Sequence, residues 1–438
     1  MQRRRILFVA FHFPPVQGSS GIQRTLKFAT YLRDHGWDPM VLTVSPRAYE
    51  RVTHDQMGDI PEDMIVERAF GLDTSRHLAI KGRYLRSMAQ PDRWASWWPA
   101  AVMKGRAMIR KYKPEAIFAT YPIATAHQIG LSLHKHSGLP FVADFRDAMT
   151  EPGYPRDPMT WASNRKLEEE VVRHCSKALF TAPGTMRMYA ERYPDVPASR
   201  WAVIENGFDE ENFRQAEAGL ERKPLGTPGQ CVLLHSGIVY PKERDPRPMF
   251  EALRQLKAEG RLSAADFKLV LRAPGNEGEF RAMIAAAGIA DLVFLEPPMP
   301  YRAALGEMMN ADGLLLMQGR VCNHQVPAKL YEYARAGAPV LGLTDPTSDT
   351  ADRLRAIGAG HIADIDEVAS IRAALESFVS QSRAGALQGT ALDTAMAHSR
   401  RARTESLARL LDELPRPAGA GQQAAGLRTS SSGESRAS

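Results

Sequence analysis

Short apolar runs alternate with helical segments along almost the whole chain, in two successive series. The first series opens at Ile6–Phe11 and ends at Trp201–Glu205, and the second runs from Cys231–His235 to Gly360–Ala363. Because the runs are almost uniformly apolar, the strands are predicted to be buried on both faces, as in parallel sheets covered by helices. The fold class predicted is α/β, with two doubly wound parallel-sheet, Rossmann-like domains that face each other across a cleft.

The domain boundaries follow from breaks in this alternation. We predict an N-terminal domain at 1–209, a linker rich in charge, Gly and Pro at 210–229, and a C-terminal domain at 230–392. A final helix is predicted at 393–414. The tail at 415–438 is dominated by Gly, Ala, Gln and Ser and is predicted to be disordered.

Composition excludes several classes of protein. A hydrophobic content of 44% and a charged content of 24% are typical of soluble globular proteins, and no apolar run approaches the ~18 residues that span a bilayer. The basic start followed by an apolar run imitates a signal peptide, but His12 and Pro14-Pro15 interrupt it. Three widely spaced cysteines indicate neither a disulfide framework nor a zinc site. The predicted location is the cytoplasm.

Positive charge is concentrated near the beginning of the chain. Residues 1–113 hold 19 Lys or Arg against 10 Asp or Glu, a net +9, although the whole chain carries only +6. Within Arg76–Lys113 the ten basic residues are interleaved with Tyr84, Trp94, Trp97 and Trp98. This combination favours contact with a membrane surface; the alternative is a helix packed on the sheet through its tryptophans. We expect no nucleic acid partner, because no nucleic-acid-binding module accompanies the patch.

The segment from Met317 to Thr344 carries the strongest indication of a ligand. A polar turn follows a buried strand, Pro327 suits the first position of a helix, and Gly337 suits the residue just past its end. The free N–H groups of Ala328, Lys329 and Leu330 would carry the positive end of the helix dipole, which suits a phosphate.

Two side chains of this predicted helix complete the pattern. The Lys329 ammonium lies in the first turn, and Glu332, one turn further, is acceptor-only when ionised and suits a pair of hydroxyls. A phosphate next to a pair of hydroxyls is the arrangement that the ribose of a nucleotide presents. The alternative is an ordinary helix on which both side chains are solvated.

Two further candidate regions lie in the first half of the chain. The strand that begins at Phe141 leaves Asp144, Arg146 and Asp147 at its carboxyl end, where ligands of open α/β sheets bind; a structural Arg146–Asp147 pair is the alternative. The loop after the first strand contributes three residues near a helix N-terminus, Gly18, Gly21 and Arg24. It contains G-x-x-G rather than G-x-G-x-x-G, so a dinucleotide site is poorly supported.

The phrase P-A-K-L-Y-E-Y-A-R-A-G-A-P resembles the donor-binding segment of the family 4 retaining glycosyltransferases of the GT-B group. D-F-R-D at 144–147 and N-G-F-D at 206–209 resemble two further motifs of the same family. The resemblance implies that the N-terminal domain binds the acceptor through its glycine loop and that Asp144, Arg146 and Asp147 lie at the catalytic centre. It also implies that the C-terminal domain binds a nucleotide diphosphate sugar, with Lys329 on the diphosphate and Glu332 on the ribose.

The sequence departs from the family pattern at two positions. Ile238 stands where most members have a diphosphate-binding Arg, which leaves Lys242 and Arg244, with Ala328 and Lys329, as the expected diphosphate donors. His324 stands at the first position of the family's E-x7-E pair and is the fourth expected catalytic residue. The resemblance places a donor-side turn at Gly237, Arg272 and Gly275.

The implied reaction is retaining transfer of a sugar to a glycan or lipid-linked acceptor, as in polysaccharide biosynthesis, without a metal or other cofactor. Asp364-Ile365-Asp366 resembles the metal-binding D-x-D of another fold, but it falls at a strand-to-helix turn, where Asp366 suits an N-cap. Two alternatives stay open. One is a nucleotide-sugar 2-epimerase of the same architecture, and the other is a non-catalytic GT-B binding protein.

Overall fold

The computed structural model describes residues 3–17, 21–54, 56–358 and 360–416. The strands are β1 (Arg4–Ala10), β2 (Trp37–Val44), β3 (Val66–Ala69), β4 (Ala116–Thr120), β5 (Phe141–Asp144), β6 (Lys177–Phe180), β7 (Trp201–Val203), β8 (Cys231–Ser236), β9 (Phe267–Arg272), β10 (Val293–Glu296), β11 (Gly313–Gln318), β12 (Val340–Thr344) and β13 (Gly360–Ala363). The α-helices are α1 (Gly21–Tyr31), α2 (Thr74–His77), α3 (Trp97–Tyr112), α4 (Ala124–Ser137), α5 (Pro158–His174), α6 (Pro183–Arg192), α7 (Glu210–Ala218), α8 (Arg247–Ala258), α9 (Glu277–Ala286), α10 (Tyr301–Asn310), α11 (Lys329–Ala336), α12 (Asp349–Ala356), α13 (Val368–Arg383), α14 (Leu392–Met396) and α15 (Arg400–Asp412).

The chain divides into two compact units. The first comprises Met1–Phe180, Tyr193–Ala202 and Thr404–Ser438, and the second comprises Thr181–Arg192 and Val203–Arg403. Each unit is built on one parallel sheet flanked by helices, because the central strands bury both of their faces. No helix of the described residues has both the length and the apolarity that a bilayer crossing requires.

The sheet of the first unit has seven strands in the order β3-β2-β1-β4-β5-β6-β7. The strand order reverses between β1 and β4, and Ile6 of β1 pairs with Pro39 on one side and with Ala116 on the other. Ligands of doubly wound sheets bind at the carboxyl ends of the strands beside such a reversal. The loop after β1 and the residues after β4 and β5 therefore occupy the favoured edge.

Helix α3 covers this sheet through one of its tryptophans. Trp97 is fully buried and meets the ring of Phe11 edge-on at 5.9 Å, whereas Trp98 is exposed. For Trp97 the structure therefore shows the packed helix that was the alternative interpretation of this basic and aromatic segment.

The sheet of the second unit has six strands in the order β10-β9-β8-β11-β12-β13. Alternate residues of each strand enter different cores: Leu233 packs in a cluster with Phe378, and its neighbour Leu234 packs in another with Tyr331 and Tyr333. The order reverses between β8 and β11, so the loops after these two strands lie at the favoured ligand edge.

Two segments differ from the sequence-based prediction. Residues 210–218 of the predicted linker form α7, whose N-cap Asp209 accepts a hydrogen bond from the Glu211 N–H at 2.9 Å and whose Phe213 is buried. The many charged side chains of α7 made this segment resemble a linker in the sequence. One of them, Glu210, pairs with Arg335 of α11. The predicted final helix at 393–414 is two helices, α14 and α15, separated by residues 397–399. Residues 417–438 of the predicted disordered tail lie outside the described residues.

Candidate functional site

Helix α11 begins two residues later than predicted. Its N-cap is Ala328, and Pro327 precedes it; Gly337 ends the helix in the left-handed conformation, as predicted. The Leu330 N–H, predicted to be free, donates to the Pro327 carbonyl at 3.1 Å because the first turn tightens to three-residue spacing. The expectation for Leu330 was therefore wrong, and the N–H groups of Ala328 and Lys329 stay as the predicted phosphate donors of this terminus.

The Lys329 side chain contacts a buried histidine at the end of β8. Its Nζ lies 3.0 Å from Nε2 of His235, and Nδ1 of His235 lies 2.9 Å from the Leu315 carbonyl oxygen. A carbonyl can only accept, so Nδ1 carries the ring proton and Nε2 accepts from the lysine. Burial, and then repulsion from Lys329, holds the pKa of His235 well below its usual value. The imidazole is therefore neutral and orients the ammonium.

Burial and a neighbouring guanidinium also act on the lysine itself. They lower the pKa of Lys329 to about 7, burial contributing most and Arg244 next, while Glu332 opposes them. Arg244 follows the β8 loop, and its Nε donates to Oε1 of Gln318 at 3.2 Å. The cationic side chains of Lys329, at the start of α11, and Arg244, in the loop after β8, are therefore close enough to repel each other.

A glycine turn after β8 faces the lysine. Gly237 has a φ of 104°, which side-chain-bearing residues rarely adopt, and a Cβ there would lie 3.5 Å from the Lys329 Nζ. Its N–H donates to the Arg272 carbonyl at 2.8 Å. Gly275, with a φ of 66°, faces Ile238 across the same two loops. The loops after β8 and β9 and the start of α11 therefore converge, and we call Gly237, Arg244, Lys329 and Glu332 the α11 cluster.

Glu332 accepts a hydrogen bond from the neighbouring helix α10. The Tyr301 hydroxyl, at the start of α10, donates to Oε1 of Glu332 at 2.6 Å. Burial raises the pKa of Glu332, while the hydrogen bond from Tyr301 and the positive charges of Arg400 and Lys329 lower it. Glu332 itself lies three residues after Lys329, about one turn into α11, as the spacing predicted.

Arg272 and Lys242, both predicted to lie near the donor, differ in their surroundings. The Arg272 guanidinium pairs with Glu307, lies 3.6 Å from Glu296 and donates to the Pro297 carbonyl, so carboxylates already compensate its charge. Lys242 lies exposed in the turn between β8 and α8. Arg272 thus supports the turn through its backbone, and Lys242 is accessible to a ligand.

The loop between β11 and α11 is fixed by side chains on both sides of His324. Thr185 donates to the His324 carbonyl at 2.7 Å, and Asn323 donates to Asp345 at 2.7 Å. Gly319, at the start of this loop, allows the Glu243 carbonyl to approach so closely that a Cβ would lie 2.0 Å from it. His324 is half-buried and lies on an anchored backbone four residues before the N-cap of α11.

The aspartates that resemble a D-x-D motif neutralise an arginine. Asp364 and Asp366 both pair with Arg320, which also pairs with Asp345. The N-cap of α13 is Glu367, so the prediction of Asp366 as N-cap was wrong, because its carboxylate is drawn to the guanidinium. In the described part of the chain no three His, Cys, Asp or Glu side chains are grouped so as to hold a metal ion.

In the first unit, two predicted site residues bind each other. The Arg24 guanidinium donates through Nε and Nη2 to the two carboxylate oxygens of Asp144 at 3.0 and 2.8 Å, and both side chains are 1% exposed. Thr120 donates to the same carboxylate at 2.9 Å. This pair joins α1 to β5 directly below the sheet edge. Gly21 opens α1, and Gly18 lies outside the described residues.

Residues that follow three strands form a polar group, which we call the β5 cluster: His12 after β1, Tyr121 after β4, and Arg146 and Asp147 after β5. Arg146 donates to the Tyr121 carbonyl at 3.2 Å. Burial, and then the positive charge of Arg146, lowers the pKa of His12 to about 3. Burial raises the pKa of Asp147, while Arg146 lowers it. Sequence reasoning missed His12, although its place directly after β1, at a strand end, was a usable signal.

Part of the chain matches a family model. Residues 20–207 match the model described as "Glycosyl transferase 4-like domain". The match covers less than half of the chain and agrees, over these residues, with the predicted resemblance to glycosyltransferase family 4.

A curated relative matches over part of its length. It is the D-inositol 3-phosphate glycosyltransferase of Thermobispora bispora, 29% identical over 179 residues, which are 37% of this chain and 41% of the relative. The match thus spans about two fifths of that protein.

Solved structures match over nearly the whole chain. HepE of Anabaena, in complex with UDP, has a TM-score of 0.62 and 16% identity, and the match covers 94% of this chain and all of HepE. Sucrose-phosphate synthase from Thermosynechococcus elongatus has a TM-score of 0.61 and 13% identity, with 94% and 98% of the two chains covered. At these identities the likeness shows the fold, and the predicted GT-B class of two doubly wound parallel sheets is confirmed.

A structure of the alternative class is also similar. A UDP-N-acetylglucosamine 2-epimerase has a TM-score of 0.52 and 12% identity, with 95% of this chain and 99% of that chain covered. Because an epimerase and sugar transferases share this fold, the fold alone does not distinguish the two reactions.

Proposed function

We propose that this protein is a retaining glycosyltransferase that moves a sugar from a nucleotide diphosphate sugar to a glycan or lipid-linked acceptor. The observation that carries the proposal is the α11 cluster. Lys329 and Arg244 converge with the Gly237 turn at a helix N-terminus, and a carboxylate follows one turn later. HepE, a protein of the same fold, was solved with UDP.

The arrangement suits a diphosphate beside a ribose. The Lys329 ammonium and the N–H groups of Ala328 and Lys329 would bind the phosphate oxygens, with Arg244 and Lys242 from the β8 loop. Glu332, held by Tyr301, would accept hydrogen bonds from the ribose hydroxyls.

The chemistry follows from where charge develops. As the bond between sugar and phosphate loosens, negative charge grows on the departing diphosphate, and preorganised cations stabilise it at little cost in reorganisation. Removing one such donor typically lowers the rate about a hundredfold or more. These donors perform the task that a metal performs in other transferases, so we propose that activity does not require one and is retained in EDTA.

In the first unit, we propose that the β5 cluster and the glycine loop bind the acceptor. His12 is neutral near pH 7 because its pKa is lowered to about 3, so it can exchange hydrogen bonds with a sugar hydroxyl without repelling Arg146. Both carboxylate oxygens of Asp144 are bound by Arg24. Asp144 is therefore proposed as a positioning residue and Asp147 as the carboxylate that faces the ligand. His324 is proposed to hydrogen-bond the donor sugar.

The test is a panel of nucleotide diphosphate sugars, with thermal shift and hydrolysis measured on the wild type, Lys329→Ala and Glu332→Ala. Arg281→Ala, an exposed cation of α9, is the matched control. We expect one donor to stabilise the wild type and the control but neither site variant, with slow release of free sugar. If no donor shifts the melting temperature, the proposed nucleotide site is wrong.

Product analysis separates the alternatives. Retention of anomeric configuration in the transferred or hydrolysed sugar, followed by NMR, supports the transferase. A donor converted to its C2 epimer would establish the epimerase, and a donor bound without turnover in the presence of candidate acceptors would establish a binding protein.

We also propose that the protein works in the cytoplasm, at the inner face of the membrane, with the segment Arg76–Lys113 in contact with the lipid surface. The net positive charge of this segment supports this proposal. A lipid-linked acceptor would be presented at such a surface.

A further inference from the structure

The loop that carries His324 is tied to the start of helix α12. The Asn323 carbonyl accepts a hydrogen bond from the Asp349 N–H at 2.9 Å, and the Gln325 carbonyl accepts one from the Thr350 hydroxyl at 2.9 Å. These two bonds lie one residue before and one residue after His324. The backbone on both sides of the histidine is therefore fixed to one helix end.

Helix α6 supplies a third tie, at His324 itself. Thr185, in the first turn of α6, is 1% exposed and donates its hydroxyl to the His324 carbonyl at 2.7 Å. The approach is close, since a Cβ at Gly184 would lie 2.8 Å from the His324 Cα. Glycine is the residue that allows two backbones to come so near. Three consecutive carbonyls of the loop are thus bound from the starts of two helices.

The Asp349 carboxylate joins these two helix ends to each other. One of its oxygens accepts the Gly184 N–H, and the other accepts a hydrogen bond from Nη2 of Arg187 at 2.7 Å. The Asp349 side chain is only 6% exposed. A carboxylate at the N-terminus of α6 also meets the positive end of the helix dipole. Asp349 therefore holds the loop through its N–H and holds the start of α6, with Thr185, through its carboxylate.

We propose that Asp349 is a positioning residue for His324 and orients its imidazole for contact with the sugar of the donor. The carboxylate keeps the Thr185 hydroxyl on the His324 carbonyl, and the N–H keeps the preceding carbonyl in place. A side chain on a fixed backbone loses little conformational freedom when it binds a hydroxyl, so its hydrogen bond contributes more to affinity. The inference rests on the proposed function, in which His324 hydrogen-bonds the donor sugar.

The test compares the affinity for an intact donor with the affinity for the nucleoside diphosphate alone, because only the donor carries the sugar. The donor probe is the nucleotide diphosphate sugar that gives the wild type its largest thermal shift, and the second probe is the nucleoside diphosphate of the same base. Calorimetric titration measures both dissociation constants. The variants are Asp349→Ala, Asp349→Asn, Thr185→Val and Thr185→Ser. The control is Asp352→Ala, which removes an exposed carboxylate from the same helix.

We expect Asp349→Ala and Thr185→Val to weaken donor binding about tenfold and to leave nucleoside diphosphate binding within about twofold, since one oriented hydrogen bond to the sugar is lost. Asp349→Asn keeps an oxygen that can accept the Gly184 N–H, and Thr185→Ser keeps a hydroxyl. Both conservative variants should therefore bind the donor within about threefold of the wild type. Asp352→Ala should bind both probes like the wild type.

A double-mutant cycle shows whether the effect passes through His324. In a His324→Ala background, Asp349→Ala should cause no further loss of donor affinity, because the imidazole that it positions is absent. Thr185→Val in the same background repeats the test without removing a charge. This second cycle gives the answer even if Asp349→Ala folds poorly, since it removes only a hydroxyl.

Equal weakening of both probes by Asp349→Ala and Thr185→Val would overturn the proposal, because it indicates general loosening of the second unit. The proposal is also overturned if these variants bind the donor like the wild type, or if their effects add to that of His324→Ala. In each of these cases the wild type still binds a donor, so the proposed function stands. If no donor shifts the melting temperature of the wild type, the proposed function fails and the role of His324 fails with it.

Discussion

The Lys329 ammonium lies 3.0 Å from the neutral imidazole of His235, and the two residues are 94 positions apart in the chain. The imidazole fixes the direction of the ammonium through one hydrogen bond, while its other nitrogen is tied to the backbone of β11. A cation held in this way needs little reorganisation when a phosphate arrives. The first two predictions test this relationship.

Donor affinity should depend on pH through Lys329. Its pKa is lowered to about 7, so the ammonium is present below pH 7 and is lost as the pH rises through 7. A nucleotide diphosphate sugar keeps its charge over this range, so its affinity should be flat below pH 7 and fall by up to tenfold per pH unit above it. Calorimetric titration from pH 6 to 9 measures this. Lys329→Arg should remove the dependence because a guanidinium stays charged, and an unchanged slope in that variant would assign it to another group.

Removal of the His235 imidazole should weaken donor binding indirectly, through the position of Lys329. In His235→Ala the ammonium loses its acceptor, and we expect KM for the donor to rise about tenfold while kcat changes less, because one oriented hydrogen bond is lost. Steady-state kinetics measure the two constants. The matched control is His127→Ala, a buried histidine of the first unit that bonds the Ala119 carbonyl. If both variants raise KM equally, the effect is general loosening of the protein and not positioning of Lys329.

Glu332 should recognise the ribose hydroxyls. The wild type is expected to bind the ribonucleotide donor about tenfold or more tightly than its 2′-deoxy analogue, since a hydrogen bond to a charged group is stronger than one between neutral groups. Glu332→Ala should bind both analogues equally, and Tyr301→Phe should reduce the preference by freeing the carboxylate to rotate. The measurement is the ratio of the two dissociation constants. A preference retained in Glu332→Ala would show that the hydroxyls are recognised elsewhere.

The buried pair of the first unit should matter for stability. Arg24 and Asp144 are each 1% exposed, and Asp144→Ala leaves a buried guanidinium without its counter-charge. We expect the free energy of unfolding of the first unit to fall by about 3–5 kcal/mol, as measured by urea denaturation. The exposed pair of Arg173 and Glu169 supplies the control, and Glu169→Ala should leave the transition unchanged. An Asp144→Ala variant of native stability but lost activity would instead place Asp144 in contact with substrate.

Much of the fold was predictable because its signals are local. Uniform apolar runs identify β1, β8 and β11 as strands buried on both faces, and Gly337 ends α11 because a left-handed residue there favours glycine. The failures concern two short segments: the charged residues of α7 resembled a linker, and a break at 397–399 divides the last predicted helix. In both cases packing against other parts of the chain decides whether a short amphipathic segment forms a helix.

The sequence by itself determined which chemical groups stand at the ends of strands and at the start of α11: Lys329, Glu332, and the acidic and basic residues after β5. Only the tertiary structure decided which partners they have. Strand order brings His235 to Lys329 and His12 to Arg146, and helix packing brings Tyr301 to Glu332. Spacing along the chain contains no information on such pairs, which lie 31 to 134 positions apart, since these contacts depend on the order in which strands join the sheet and on how helices pack. Tertiary packing also pairs Arg24 with Asp144, two residues that the sequence-based prediction had placed in separate roles.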